Sequence, residues 1–228
     1  MLPFNQNLQG ERFFCRYERE TQVAMPGYYS VKLADMNIDV ELTVTERTAM
    51  HKYTFNQPGE ANLLLDLQNG LVFNSKNIRY RVLEGEVEML DNKTIAGYNR
   101  VRGWVARYFY YMIVFDRPYT VKKELPQEEG EKAKRFILEF DLKEGESVQV
   151  KVALSTVGIE GAKMALDKEN PGWNFESIKA ETNGKWNDML SLVEVEGTEE
   201  EKMNFYTSMY HLFIQPTNTV SYTHLTLP

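Results

Sequence analysis

A chain of 228 residues with 43% hydrophobic and 26% charged side chains can build one sizeable core, and with no low-complexity tract it is expected to fold as a single domain with an appendage. Its 33 acidic residues against 26 basic ones leave a net charge of -7, which opposes a phosphate backbone or an anionic membrane surface, so nucleic acid is not an expected partner. The single Cys15 excludes an internal disulfide and a cysteine-based zinc cluster, no stretch reaches the roughly 18–20 apolar residues of a membrane span, and residues 1–10 lack the basic start and apolar run of a signal peptide.

From Arg12 to Ser155 the sequence reads as short runs of period-two alternation broken by turn signals, the pattern of a sandwich or barrel. Tyr29, Val31 and Leu33 share one face of the first clear strand, and Ala34 to Asn37 turns the chain. Ile38, Val40, Leu42 and Val44 then alternate with Asp39, Glu41, Thr43 and Thr45, which predicts a hairpin with its aliphatics inward. Further strands are predicted over Ala49 to Phe55, Ala61 to Leu67, Ile78 to Leu83, Glu86 to Leu90, Tyr108 to Asp116, Arg135 to Leu142 and Ser147 to Ser155. Asn69-Gly70, Glu84-Gly85, Glu129-Gly130 and Glu144-Gly145 supply glycines for the intervening turns. Tyr108 to Phe115 is apolar on both faces and is expected centrally, between layers or beneath a helix. No helical pattern separates successive strands, so the sheets should be antiparallel. Val40, Leu42, Val44, Phe136, Leu138, Val150 and Val152 are expected between two stacked layers.

After Ser155 the period changes to about 3.6, the helical repeat. Ile159 to Asp167 is a short helix candidate closed by Asn170-Pro171-Gly172. Asn174 can cap a longer one bearing Phe175, Ile178, Trp186, Met189, Leu190 and Val193 on one side, with Gly184 weakening its middle. A last helix begins at Thr198, whose spacing to Glu201 makes a capping box, and Pro216 should stop it. Its stripe of Met203, Tyr206, Met209, Tyr210 and Phe213 requires something to pack against.

Few residues carry a chemical signature. His51 falls on the strand face of Ala49, Tyr53 and Phe55 with no second ligand at metal spacing, so a structural histidine is the favoured reading over a catalytic one; His211 on the last helix is read in the same way. Glu18 and Glu20 lie on one side of an extended segment and could serve as paired carboxylates, but Arg16 and Arg19 flank them, which favours a solvated ion-pair cluster. Arg100, Arg102, Trp104, Arg107, Tyr108 and Tyr110 interleave bases with aromatics, as a sugar platform or a single-strand nucleic-acid binder would; a buried aromatic strand with bordering arginines explains them more simply. There is no P-loop, dinucleotide fingerprint, zinc spacing or nucleophile elbow.

Pro26-Gly27-Tyr28-Tyr29-Ser30-Val31, Val40 to Arg47 and His51-Lys52-Tyr53-Thr54-Phe55 together resemble the N-terminal domain of glycoside hydrolase family 92. Val152-Ala153-Leu154-Ser155, Glu160-Gly161-Ala162, Pro171-Gly172-Trp173-Asn174-Phe175, Lys185-Trp186-Asn187 and Phe205 to His211 continue the series in order, and the resemblance covers Arg12 to Thr217. It implies a mainly β fold, an antiparallel β-sandwich of the galactose-mutarotase-like supersandwich kind over residues 1–155. Linker helices over 156–217 should lead to an (α/α)₆ catalytic domain.

It further implies an exo-acting, inverting α-mannosidase acting on mannose-containing glycans, with the active site between the two domains and Ca²⁺ in the full-length enzyme. The acid, base and calcium ligands belong to the helical domain, so no catalytic residue and no metal ligand is transferred to this chain. The resemblance also implies further family sequence ahead of Leu2, a secreted or periplasmic location, and a non-native tail over 218–228, where Val220 to Pro228 matches no family pattern and should pack poorly, as His224 would with it. The rival reading is a stand-alone carbohydrate-binding or adhesion module without catalysis.

Overall fold

The structure, a computed structural model of the chain, describes residues 1–5, 15–69, 82–102 and 105–214. Its twelve described strands are β1 (Leu2–Phe4), β2 (Tyr17–Met25), β3 (Tyr28–Leu33), β4 (Ile38–Val44), β5 (Thr48–Phe55), β6 (Ala61–Asp66), β7 (Val82–Met89), β8 (Thr94–Val101), β9 (Arg107–Phe115), β10 (Thr120–Glu124), β11 (Arg135–Phe140) and β12 (Ser147–Ser155). They form a four-stranded sheet in the order β1-β6-β11-β10 and an eight-stranded sheet in the order β2-β3-β4-β5-β12-β9-β8-β7. Every ladder is antiparallel. The predicted hairpin is β3–β4, with Leu33 opposite Ile38 and Val31 opposite Val40. Its turn places Asn37 at φ 48, a left-handed conformation that asparagine tolerates.

The two sheets bury one core. Ile38, Val40, Tyr53 and Phe55 from the large sheet and Leu63, Leu65, Phe136, Leu138 and Phe140 from the small one belong to it, as do Val148 and Val150 of β12. Of the seven residues expected between the layers, Val40, Phe136, Leu138 and Val150 are buried, while Leu42 and Val152 are only partly so. Val44 is 43% exposed: it keeps the alternation of its strand but sits at the strand's end, outside the inter-sheet cluster. β9 is central as expected, between β8 and β12. Its later half, with Tyr111, Met112, Ile113 and Phe115, is buried, whereas Tyr108 and Phe109 are exposed.

Four strands lie outside the sequence-based set. β2 and β10 are exposed along nearly their whole length, so no apolar alternation marks them, and β1 has only three residues. β8 carries Gly97 and Asn99, which read as breakers. A further correction concerns Glu84-Gly85, expected as a turn between two strands. Gly85 instead lies inside β7, which runs from Val82 to Met89 with a register shift between Val82 and Glu84. A Cβ at Gly85 would lie 2.7 Å from Asn99 Oδ1 and 3.1 Å from Ala133 Cβ, so this glycine serves close approach. Gly130 and Gly145 do adopt positive φ, whereas Gly70 and most of Ile78 to Leu83 fall outside the described residues.

Three helices follow: α1 (Ile159–Glu169), α2 (Phe175–Leu190) and α3 (Glu199–Phe213). α1 lies on the outer face of the large sheet, where Ala162, Ala165 and Leu166 pack on Ala96, Met112 and Ala153; such small side chains allow close seating. Phe175 and Ile178 of α2 pack on Met50 of β5. The large sheet is therefore covered on both faces, by the small sheet and by helices. The Asn174 side chain caps α2 by accepting from Ser177 N at 3.0 Å, and Thr198 with Glu201 completes the predicted capping box of α3.

Glu169, at the end of α1, ties the helices to the β4–β5 turn. Its carboxylate accepts from Thr45 Oγ1 at 2.5 Å, Arg47 N at 2.9 Å and Arg47 Nη1 at 3.0 Å. By contrast α3 has no buried residue, and Met203 and Leu212 are 69% and 73% exposed. Pro216 and Val220 to Pro228, with their expected helix stop and poor packing, lie outside the described residues.

Gly97 and Gly184 should respond to alanine in opposite directions. At Gly97 a Cβ would fall 2.1 Å from Glu86 O and 2.6 Å from Tyr111 Oη, under the hydrogen bond that Tyr111 donates to Glu86 O. Gly97→Ala is expected to cost about 2–3 kcal/mol through overpacking and the loss of that bond. Gly184 faces open space within α2, and Gly184→Ala should stabilise by about 0.5–1 kcal/mol. Urea unfolding of both variants measures this; a neutral Gly97→Ala would show that β7 and β9 do not approach as described.

Candidate functional site

The arginine–aromatic segment forms a chemically varied surface among the described residues. In the β8–β9 ladder Tyr98 stands opposite Tyr110 and Arg100 opposite Tyr108. In the β7–β8 ladder Glu84 stands opposite Arg100 and Glu86 opposite Tyr98. Period two puts these residues on the face of Ala96 and Met112, the pair beneath α1, but farther along the strands than the helix covers. The rings cluster with centroid separations of 5.6 Å for Tyr98–Tyr108, 5.7 Å for Tyr98–Tyr110 and 6.1 Å for the stacked pair Tyr108–Tyr110. The Arg100 guanidinium lies 5.6 Å from the Tyr108 centroid and its Nη1 lies 3.9 Å from Glu84. Tyr98 Oη donates to Glu84 Oε1 at 2.9 Å, and that carboxylate pushes the tyrosine pKa up.

Ring faces, phenolic hydroxyls, a guanidinium and carboxylates on one rigid sheet can stack against and hydrogen-bond a polyhydroxylated ring. Sequence reasoning identified Arg100, Tyr108 and Tyr110 but missed Tyr98 and Glu84. Once Thr94 to Val101 is recognised as a strand, the hairpin register places both. Arg102 and Arg107 are exposed and take no part in the ring cluster, while Trp104 lies outside the described residues.

The carboxylate pair lies on the surface. Glu18 and Glu20 are exposed on β2, an edge strand of the large sheet, and among the described residues they do not form the expected ion-pair cluster. Arg16 is drawn instead to Asp35, its backbone N at 3.0 Å and Nε at 2.8 Å from that carboxylate. A register shift between Glu18 and Val23 interrupts the alternation on which their pairing depended; inside it Thr21 Oγ1 donates to Glu18 O at 2.7 Å and accepts from Lys32 N at 2.9 Å. No group of three or more His, Cys, Asp or Glu side chains among the described residues could hold a metal ion. No described helix is long and apolar enough to cross a membrane.

His51 shares a hydrogen bond of 2.8 Å between Nδ1 and Tyr53 Oη, and burial pushes its pKa down to about 4. It is joined to a core tyrosine, with no carboxylate bonded to its ring among the described residues. His211 is exposed on α3 beside Tyr210; His224 is outside the described residues.

His51 makes stability depend on pH. The unfolded chain protonates it near 6.5 and the folded chain near 4, so between these values the unfolded state binds more protons and stability rises with pH. Its contribution is expected to be complete above pH 6.5 and to fall by about 3 kcal/mol on acidification through the folded value. Denaturant unfolding from pH 7 to pH 4 should show His51→Gln losing correspondingly less stability than the parent; parallel profiles would exclude His51 as the titrating group.

Comparison with known proteins gives this geometry a family. Residues 2–155 match the glycosyl hydrolase family 92 N-terminal domain, and residues 161–224 match the glycosyl hydrolase family 92 catalytic domain, a match that reaches into the stretch 218–228. No curated protein matches the chain. A family 92 α-mannosidase from Bacteroides thetaiotaomicron superposes with a TM-score of 0.82 at 25% identity, over 97% of this chain and 32% of its own. The same protein in complex with mannoimidazole gives 0.78 at 25% identity, over 94% and 30%. A family 92 inverting mannosidase from Bacteroides thetaiotaomicron shares the fold, with a TM-score of 0.79 at 20% identity over 94% and 29%. The chain spans about a third of the length of these proteins. With the N-terminal-domain match running through every strand of both sheets, the chain belongs to glycosyl hydrolase family 92.

Proposed function

We propose that this chain is the N-terminal, carbohydrate-associated part of an exo-acting, inverting, calcium-dependent α-mannosidase that hydrolyses mannosides of glycans. The sandwich serves it as scaffold and partial wall of the sugar pocket. The observation that carries this reading is the succession of an N-terminal-domain match over 2–155 and a catalytic-domain match over 161–224 in one chain. A stand-alone binding module would leave the second match without a purpose. The mannosidase names of the structural neighbours support the substrate class, and the one named an inverting mannosidase agrees with the stereochemistry.

Inversion needs a proton donor at the leaving oxygen and a base holding water on the opposite face, with carboxyl groups roughly 6.5–9.5 Å apart. Glu18 and Glu20 sit on an exposed edge strand, so we assign the acid and the base to the helical catalytic domain, the partner of this sandwich. Calcium takes about 6–8 oxygen ligands. The described residues gather no such set and do not fit the ion, so calcium is assigned to that domain as well and no step is routed through it here. On this reading Tyr98, Tyr108, Tyr110 and Arg100 are the residues of the sheet best suited to border a sugar, and the enzyme works in a secreted or periplasmic setting.

The purified 228-residue chain should show no turnover of an α-mannoside with calcium supplied. The same residues within an enzyme carrying a complete family 92 catalytic domain should release β-configured mannose, seen by NMR, and lose activity in EDTA. Turnover by the short chain that disappears in Glu18→Gln or Glu20→Gln would overturn the assignment.

A further inference from the structure

α1 fills only part of the outer face of the large sheet. Val114 pairs with Lys151 on one side and Thr94 on the other, in the row next to the Ala96, Met112 and Ala153 seat of the helix. There a cavity of about 650 Å³ opens between strands and helix, within the range of about 300–1,000 Å³ typical of small-molecule sites. Ala96, Met112, Val114 and Leu166 give it an apolar side, and Trp173, in the segment between α1 and α2, lines it as well.

Two polar side chains in its wall are almost wholly buried. Lys151, 5% exposed, donates from Nζ to the Asn170 carbonyl at 2.7 Å and lies 4.3 Å from the Trp173 ring centroid. Asn170 is 1% exposed, and neither atom of its side-chain amide has a hydrogen-bond partner among the described residues. A buried amide left unpaired is costly, so a ligand that reaches it gains from doing so. Glu88, Glu160, Lys163 and Asp167 also line the cavity; they are exposed and make no side-chain hydrogen bond or ion pair among the described residues.

This lining selects a ligand class. An anion would meet three carboxylates against Lys163 and an ammonium group already engaged by Asn170. A wholly apolar molecule would leave the Asn170 amide unpaired, and the described residues offer no cluster for a metal ion. A neutral polyhydroxylated ring satisfies each part, because its C–H face can lie on indole and aliphatic carbons while its hydroxyls donate to carboxylates and accept from ammonium or amide. We propose that the cavity between α1 and the outer face of the large sheet is a pyranose-binding subsite, with Trp173 as its stacking surface and Glu88, Lys163 and Asn170 as hydroxyl partners. The choice of a mannoside as first probe rests on the function proposed above. The subsite itself rests on the lining alone.

The test is an NMR titration of the 228-residue chain with methyl α-mannopyranoside and, separately, methyl α-glucopyranoside, following the indole N–H signals of the three tryptophans, with Trp173 assigned from Trp173→Phe. A saturable shift at Trp173 with a dissociation constant of about 1–10 mM, the range of a single-sugar contact, is expected, with Trp186 unmoved. Trp173→Ala, followed through the backbone amide signals of Lys151 and Asn170, which also line the cavity, should weaken binding about tenfold. Should that variant unfold, Glu88→Ala/Lys163→Ala, which alters only exposed positions, should weaken it at least about threefold with an unchanged thermal midpoint. Binding of the glucoside alone would support the subsite while counting against mannose as the substrate, and neither methyl glycoside requires turnover. No saturable shift at Trp173 with either sugar, or unchanged affinity in the folded variants, would overturn the proposal.

Discussion

Both faces of β12 carry buried side chains, and the architecture depends on that constraint. Val148 and Val150 point into the inter-sheet core with no exposure, while Lys151 and Ala153 point the other way, beneath the helices, and are buried as well. A strand covered on both faces needs two apolar layers, and the small sheet and α1 supply them. The family boundary falls in the same place: the N-terminal-domain match ends at 155, the last residue of β12, and the catalytic-domain match begins at 161, inside α1. The division in sequence is thus not a division in packing, because the first helix of the second match folds back over the last strand of the first.

Two local features hold that return in place. Alanines at 96, 153, 162 and 165 let helix and sheet approach closely, and a larger side chain at any of them would lift α1 from its seat. Glu169 then fixes the rotation of the helix about its axis. Its side chain is 9% exposed, and a carboxylate so far out of water is tolerated because a hydroxyl, a backbone N–H and a guanidinium all donate to it. α2 enters under an asparagine cap with Phe175 against Met50, so the helical segment is anchored at two points before α3 begins.

The parts legible in the sequence were those where each local preference agrees with the packing. Ile38 to Val44 alternates and forms a strand, Ser147 to Ser155 does the same, and Thr198 with Glu201 forms its capping box. Harder to see were residues whose role is set by a neighbour distant in the chain. Gly97 reads as a breaker until Tyr111 is known to cross it, Val44 alternates correctly but outruns the layer meant to cover it, and Tyr98 joins the tyrosine cluster only through its register with Tyr110. In the same way Lys151 looks like the solvent-facing member of an alternating strand. Nothing near it in sequence announces that α1 roofs it, or that Asn170 and Trp173 converge on its amine.

The interruption of β2 bears on how the protein behaves in a crowded solution. An edge strand of an eight-stranded sheet is a template on which a second molecule can lay a strand, the first step toward ordered aggregation. Between Glu18 and Val23 the ladder is broken, and Thr21 turns its hydroxyl inward to occupy the Glu18 carbonyl and the Lys32 amide. Glu18, Arg19 and Glu20 surround the break with exposed charge. An approaching strand would find its register lost after a few residues and its side chains opposite fixed charges, which limits edge-to-edge growth of the sheet on this side.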